Sequence, residues 1–167
     1  MTARAGIALE QYLRTSFEDG DAEYVDGEVV AKPAPTKSHS KVQRRLIEIF
    51  YELNKRCPFH AFPELRGRTS ETRVRIPDVA IYAGPEPEEE VPTLPPYIAV
   101  EILSPDDRVS YLMIKLAEYR GWGVAHIWVI DPMRQVLMEY GSDGLREVHG
   151  YLLPEYGLQV TYGEIFQ

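Results

Sequence analysis

A strand–helix–strand unit between Ile98 and Ile130 constrains the fold more than any other feature of the sequence. The segment 97–103 (YIAVEIL) is apolar on both faces, which is typical of a strand covered on both sides. Apolar residues then recur at helical spacing over 109–119, and 126–130 is a second apolar strand. Strands joined through a helix run parallel, so the unit predicts an α/β fold with a mixed sheet flanked by helices.

The rest of the chain adds shorter elements with local signals. An Asp-Gly pair at 26–27 favours a tight hairpin, because both central residues of such a turn need positive φ. The patterns predict, in chain order, a short helix over 8–14, a hairpin over 23–30, a long amphipathic helix over 40–55 capped by Ser38 or Ser40, strands over 59–65 and 72–82, a helix from 109 closed by Gly121 and Gly123, and a hairpin over 133–149. No element is assigned to 151–167.

Length and composition limit the possible classes of protein. A chain of 167 residues predicts one domain spanning residues 1–167. Its one cysteine, Cys57, excludes an internal disulfide and a cysteine-based zinc site. No stretch approaches the roughly 20 apolar residues that span a bilayer, and the N-terminus lacks the apolar region of a secretory signal. We therefore expect a cytoplasmic protein without a membrane partner.

Charge is unevenly distributed along the chain. The net charge is −8, but the segment 37–75 carries ten basic residues against four acidic ones, which leaves −14 for the remainder. A basic face on an acidic body is compatible with local binding of a polyanion such as nucleic acid. A solvated helix face and a charged strand edge explain the same pattern, and the acidic remainder weakens any extended DNA-binding surface.

Two carboxylates stand in apolar surroundings. Glu101 is the only polar residue of the segment 97–103, and alternation along 72–82 places Asp78 on a face with Val74, Ile76 and Ala80. A buried carboxylate is costly unless it is paired, protonated or bound to a metal. If the two acids lie on neighbouring strands, Mg²⁺ would relieve their repulsion. The alternative is structural: one acid pairs with Arg73 or Arg75, and the other caps a turn.

Lys115 strengthens the functional interpretation. It lies at the margin of the apolar stripe of the predicted helix over 109–119, where its stem packs on the core and its ammonium reaches the sheet. A solvated lysine paired with Glu118 or Asp107 is the alternative. The combination of Asp78, Glu101 and Lys115 is harder to explain structurally than each residue alone.

The ordered motifs of the chain resemble those of a nuclease family. They are EYVDGE (23–28), RIPDVA (75–80), VEILSP (100–105), KLAEY (115–119) and GVAHIWVIDP (123–132). Together they are similar to the Uma-two family of restriction-type endonucleases, in the PD-(D/E)xK nuclease superfamily. The resemblance implies a restriction-endonuclease-like mixed sheet with an added N-terminal hairpin.

The resemblance also implies roles for individual residues. Asp78 and Glu101 would hold Mg²⁺ or Mn²⁺ with the backbone carbonyl of Ile102, and Lys115 would position the attacking water. Leu103 stands where the superfamily pattern has lysine, so the lysine has moved to the helix, as it has in this family.

Two further residues match recurrent positions of the family. Glu23 would add a ligand or orient water, and its alternative is a solvent-facing hairpin acid. His39 would contact phosphate or the edge of the site, and its alternative is a polar residue at a helix N-terminus.

Three functions remain open on the sequence. The first is a metal-dependent endonuclease that hydrolyses phosphodiester bonds in DNA, with a homodimer matching two sites to two strands. The second is a catalytically inactive relative that binds nucleic acid or a protein. The third is a hydrolase of a small phosphorylated molecule, which keeps the metal chemistry without the polymer. Strong salt dependence of binding would distinguish DNA from a small substrate.

Overall fold

The computed structural model describes residues 3–4 and 6–167, with side chains from residue 6 onward. The helices are α1 (Leu9–Arg14), α2 (Lys37–Leu53), α3 (Val109–Trp122) and α4 (Tyr162–Phe166), with a 3₁₀ turn at Pro154–Tyr156. The strands are β1 (Ala3–Arg4), β2 (Ala22–Val25), β3 (Glu28–Ala31), β4 (Phe59–Pro63), β5 (Gly67–Ser70), β6 (Arg73–Arg75), β7 (Val79–Ala83), β8 (Ile98–Ile102), β9 (His126–Asp131), β10 (Val136–Gly141), β11 (Gly144–Val148), β12 (Gly150–Leu153) and β13 (Leu158–Thr161).

A six-stranded mixed sheet forms the centre of the molecule. Its strand order is β11-β10-β9-β8-β7-β4. Strands β8 and β9 are parallel through α3, and the other neighbours are antiparallel. The predicted crossover and mixed α/β sheet are therefore confirmed.

A second sheet of five antiparallel strands, in the order β1-β3-β2-β6-β5, contains the predicted hairpin. Asp26 and Gly27 turn the chain between β2 and β3 with φ values of 50° and 95°, as the Asp-Gly pair predicts. The hairpin is paired with β6, so it is part of a sheet next to the central one.

The two long helices pack on different faces of the central sheet. Ile98, Val100 and Ile102 of β8 join the core cluster that α2 covers, whereas Ala99 joins the cluster under α3. Because side chains alternate along a strand, Glu101 lies on the same face as Ala99, toward α3. The carboxylate thus meets the helix that carries Lys115.

The predicted single strand over 72–82 is wrong, because the chain changes sheets in the middle of it. Strand β6 pairs with β2 and β5, and β7 pairs with β4 and β8. Pro77 lies between them and has no N–H for a ladder, so pairing stops there. The shared face assigned to Asp78 and Val74 therefore does not exist, and Asp78 lies at the crossing between the two sheets.

Smaller boundaries also differ from prediction. The long helix begins at Lys37, because the Thr36 side chain accepts the His39 N–H and caps it in place of Ser38 or Ser40. Gly121 lies inside α3, and Gly123, with φ of 107°, ends it. Sequence analysis missed β5 and the elements after Gly150, which have short or irregular apolar patterns.

The basic segment 37–75 does not form one continuous basic face. Arg75 is buried, and Arg73 pairs with Asp26 and Glu118. In α2, Arg45 pairs with Glu48. No helix in the described part of the chain is both long and apolar enough to cross a membrane.

Candidate active site at the crossing of the two sheets

Asp78 and Glu101 come from adjacent antiparallel strands. The register pairs Val79 of β7 with Val100 of β8. One residue further along these antiparallel strands, Asp78 and Glu101 therefore face each other. Both are buried, with 3% and 7% of their surfaces exposed. The sequence thus places two carboxylates side by side through strand pairing, and neither forms the predicted alternative pair with Arg73 or Arg75.

Glu101 is held from the α3 side. Its Oε1 accepts hydrogen bonds from Tyr119 Oη at 2.6 Å and lies 2.9 Å from Lys115 Nζ. Burial raises the pKa of Glu101 to about 7; the Lys115 ammonium opposes this rise, and the nearby Asp78 carboxylate adds to it. Glu101 is therefore the more readily protonated of the two acids.

Asp78 is held by groups from three directions. Its Oδ2 accepts the Ile102 N–H at 2.6 Å, an amide that lies beyond the β7–β8 pairing. Its Oδ1 lies 2.9 Å from Lys32 Nζ and 3.2 Å from His39 Nε2. Burial opposes ionisation, but the Lys32 and His39 contacts outweigh it and lower the pKa of Asp78 well below its ordinary value. The two acids therefore have pKa values shifted in opposite directions.

Lys115 joins Glu101 to the N-terminal hairpin. Its side chain is 6% exposed, and Nζ lies 2.7 Å from Glu23 Oε1 and 3.3 Å from the Ile76 carbonyl oxygen. Burial alone would lower the pKa of Lys115, but Glu101 and Glu23 outweigh it and raise it. The alternative of a solvated lysine paired with Glu118 or Asp107 is wrong, because Lys115 is an interior cation between two carboxylates.

Glu23 is also an interior residue, and its alternative as a solvent-facing hairpin acid is wrong. It is 2% exposed and accepts bonds from Arg75 Nη1 at 3.0 Å, the Ile76 N–H at 2.9 Å and Tyr111 Oη at 3.1 Å. Burial opposes its ionisation, but Lys115 and Arg75 lower the pKa of Glu23 to about 2. Arg75 also binds Glu118 of α3, so this network ties the hairpin to the helix.

These groups surround one cavity of about 60 Å³, which has room for a cation and a few water molecules. It is lined by Glu23, Lys32, His39, Asp78, Glu101, Ile102, Tyr111 and Lys115, and at its mouth by Ser104 and Arg108.

The donors in this cavity fit a hard divalent cation with few protein ligands. Asp78 and Glu101 supply carboxylate oxygens to the cavity, and Ile102 lies beside them. Mg²⁺ binds such oxygen ligands while it keeps several of its waters. In the part of the chain that the structure describes, no three or more His, Cys, Asp or Glu side chains form a metal-binding cluster.

His39 reaches the cavity from the first turn of α2. It is 4% exposed, and its Nδ1 is buried without a hydrogen-bond partner among the described residues. Burial would lower the pKa of His39, but the bond to Asp78 outweighs it and raises the pKa. The sequence expectation of a position at the edge of the site agrees with this contact, and contact with phosphate stays a prediction.

Sequence analysis missed several members of the site. Lys32 lies between the predicted hairpin and the predicted long helix, where the patterns predict no element, and Glu64 follows a short strand without periodicity. Tyr119 was assigned only to the apolar stripe of α3, although its hydroxyl bonds Glu101. The spacing of residues gives no signal for Lys32 or Glu64. Tyr119 could have been found, because it lies four residues after Lys115 on the same helix face.

Comparison with known proteins places this geometry in a family. A family model described as "putative restriction endonuclease", Uma-two, matches residues 9–163. The chain belongs to the Uma-two family. The residues of the cavity all fall inside the matched range, and the family description is that of a nuclease.

A solved structure agrees with this fold. The crystal structure of a putative nuclease belonging to DUF820 from Anabaena variabilis ATCC 29413 matches with a TM-score of 0.82. The match covers 96% of this Uma-two chain and 97% of the other at 23% sequence identity, so it shows a shared fold. No protein of curated function matches the chain.

Proposed function

We propose that this Uma-two protein is a divalent-metal-dependent endonuclease that hydrolyses phosphodiester bonds in DNA. The observation that carries the proposal is the convergence of Asp78, Glu101 and Lys115 on one cavity, with Lys115 Nζ 2.9 Å from Glu101 Oε1. A structural ion pair needs one acid and one base. Here two buried acids lie side by side on neighbouring strands, and the cavity that they line opens to the surface.

In this proposal Asp78, Glu101 and the Ile102 carbonyl hold Mg²⁺, or Mn²⁺ in its place. Such an ion supplies polarisation of a phosphodiester oxygen and lowers the pKa of a bound water. Asp78 stays ionised because its pKa is low, and the Ile102 N–H fixes its orientation. Lys115 holds Glu101 in place and presents a positive charge where the phosphate gains negative charge. Glu23 positions Lys115.

Titration calorimetry with Mg²⁺ and Mn²⁺ tests the metal site. We expect one ion per chain for the native protein, and loss of binding in Asp78→Asn and Glu101→Gln. Glu28→Gln is the control, because Glu28 is an exposed acid of the same hairpin. Each variant is checked by circular dichroism. Absence of metal binding by the folded native protein would overturn the proposal and favour a binding module without catalysis.

Cleavage assays then test the substrate. Plasmid DNA is expected to be nicked in Mg²⁺ by the native protein and not by Lys115→Met. Hydrolysis of a small phosphodiester without cleavage of DNA would instead support the small-molecule alternative. The homodimer, the single domain over residues 1–167 and the cytoplasmic location stay predictions from the sequence. Sedimentation that shows a monomer at all concentrations would refute the dimer.

A further inference from the structure

The ammonium of Lys32 occupies a cation position beside Asp78. Its Nζ lies 2.6 Å from Glu64 Oε2, 2.9 Å from Asp78 Oδ1 and 2.9 Å from the Ile76 carbonyl oxygen. An ammonium has three N–H donors, so these contacts use all of them. The Lys32 side chain is 14% exposed and lines the cavity. Lys32 is therefore a fully coordinated cation inside the candidate site.

The proposed function leaves this lysine without a role. Lys115 contacts Glu101 and Glu23, whereas Lys32, which follows β3, contacts Asp78 and Glu64. Burial alone would lower the pKa of Lys32, but Asp78, Glu101 and Glu64 outweigh it and raise the pKa. The Lys32 ammonium lies 2.9 Å from Asp78 Oδ1, the oxygen that a metal would need.

The atoms that hold Lys32 are those that hold divalent cations, namely carboxylate and carbonyl oxygens. Two cations bound to one oxygen repel each other strongly in a buried site. We propose that Lys32 is an internal counter-ion of Asp78: it neutralises Asp78 in the metal-free protein and has to leave Asp78 Oδ1 before a divalent cation binds. This inference rests on the proposed function, because it requires metal binding at Asp78.

Glu64 is the residue that retains the displaced ammonium. Its Oε1 is fixed by Gln43 Nε2 at 3.0 Å, and the same amide group donates to the Asp78 carbonyl oxygen at 2.8 Å. Glu64 also has a φ of 51°, in the left-handed region that non-glycine residues rarely adopt. The Glu64 N–H also donates to the Asp78 carbonyl oxygen at 3.3 Å. This bond and the Gln43 bond together hold the Glu64 carboxylate beside Asp78, where it keeps Lys32 at the cavity.

Mg²⁺ titration of Lys32→Met tests the displacement. We expect its Mg²⁺ affinity to exceed that of the native protein by about tenfold or more. This factor corresponds to the lower end of the coupling energies measured between close charge pairs. Arg108→Met is the control, because Arg108 lines the same cavity but is exposed and has no ion pair among the described residues. This variant removes the same charge as Lys32→Met but from an exposed position, where solvent screens it. We therefore expect its Mg²⁺ affinity to change by less than about twofold. Equal gains in both variants would overturn the proposal.

A second measurement follows Lys32 itself. In protein labelled with ¹⁵N-lysine, the ammonium resonance that is lost in Lys32→Met belongs to Lys32. Saturating Mg²⁺ should shift it in the native protein, because its bond to Asp78 breaks. An unchanged resonance with Mg²⁺ bound would contradict the displacement. Lys32→Gln, which keeps a donor for Asp78 without the charge, replaces the methionine variant if that variant does not fold.

The outcomes separate this inference from the proposed function. If the native protein binds Mg²⁺ but Lys32→Met binds it no more tightly than Arg108→Met does, only the counter-ion role fails. If neither the native protein nor Lys32→Met binds Mg²⁺, both proposals fail. Binding by Lys32→Met but not by the native protein would overturn the displacement, because the ammonium would then not leave Asp78 Oδ1 when Mg²⁺ is present.

Discussion

Replacing Glu23 by glutamine is expected to destabilise the protein strongly. The carboxylate is 2% exposed and contacts two buried cations, Arg75 and Lys115, as well as the Ile76 N–H. An amide has the same shape but only one acceptor oxygen, so its NH₂ group would face donors. Breaking one side of a buried charge pair costs about 3–5 kcal/mol, because the remaining charges stay buried without compensation.

The pKa of Glu23 gives an independent magnitude. Folding lowers it from 4.5 to about 2, a difference worth about 3 kcal/mol at neutral pH. Because the folded state has the lower pKa, this stability is present above pH 4.5 and is lost as the pH falls toward 2. The difference between the native protein and Glu23→Gln should therefore narrow from about 3 kcal/mol at pH 7 to about 1 kcal/mol at pH 3.

Urea denaturation at a series of pH values measures both quantities. Glu28→Gln, at an exposed position of the same hairpin, should change the free energy of unfolding by less than about 0.5 kcal/mol. A Glu23→Gln variant within about 1 kcal/mol of the native protein at pH 7 would refute the reasoning. A difference that is constant with pH would show that shape, and not ionisation, determines the cost.

Three further substitutions have defined costs. Tyr12→Phe removes a 2.6 Å hydrogen bond to the Ala22 carbonyl and should cost about 1 kcal/mol by urea denaturation. Burial raises the pKa of Tyr12 to about 12, so the stability that its neutral hydroxyl contributes is lost between pH 10 and 12. Over this range the free energy of unfolding should therefore fall less in Tyr12→Phe than in the native protein. Gly123→Ala should lower the free energy of unfolding by about 1–2 kcal/mol, because alanine is strained at a φ of 107°. Gly67→Ala should cost about 1–3 kcal/mol, since its Cβ would lie 2.6 Å from Trp122 Cη2; an unchanged melting temperature would contradict this.

The strand–helix–strand unit could be predicted because its signal is local. All five residues of β8 are buried, as an apolar run broken only by Glu101 indicates. The same pattern that predicts the strand also marks the acid as unusual, since a carboxylate in such a run needs a partner. Lys115 was visible for a similar reason, as a charge at the edge of an apolar helix stripe.

The break at Pro77 shows where periodicity fails. Over 72–82 the sequence reads as one β-rich run, yet β6 and β7 belong to different sheets. Alternation describes side chains on one strand and carries no information about a change of sheet. The proline was the available signal, because it cannot donate to a ladder, and it lies directly before Asp78.

The sequence by itself determined that the strand around Glu101 is buried and that Lys115 lies at the edge of an apolar helix stripe, because these properties depend on neighbours along the chain. Only the tertiary structure decided how the charges are paired. The contact of Lys32 with Glu64 and Asp78 forms where the chain passes from one sheet to the other. Glu23 contacts Lys115, which lies 92 residues further along the chain. Such contacts depend on the relative placement of whole elements, which spacing along a chain does not encode.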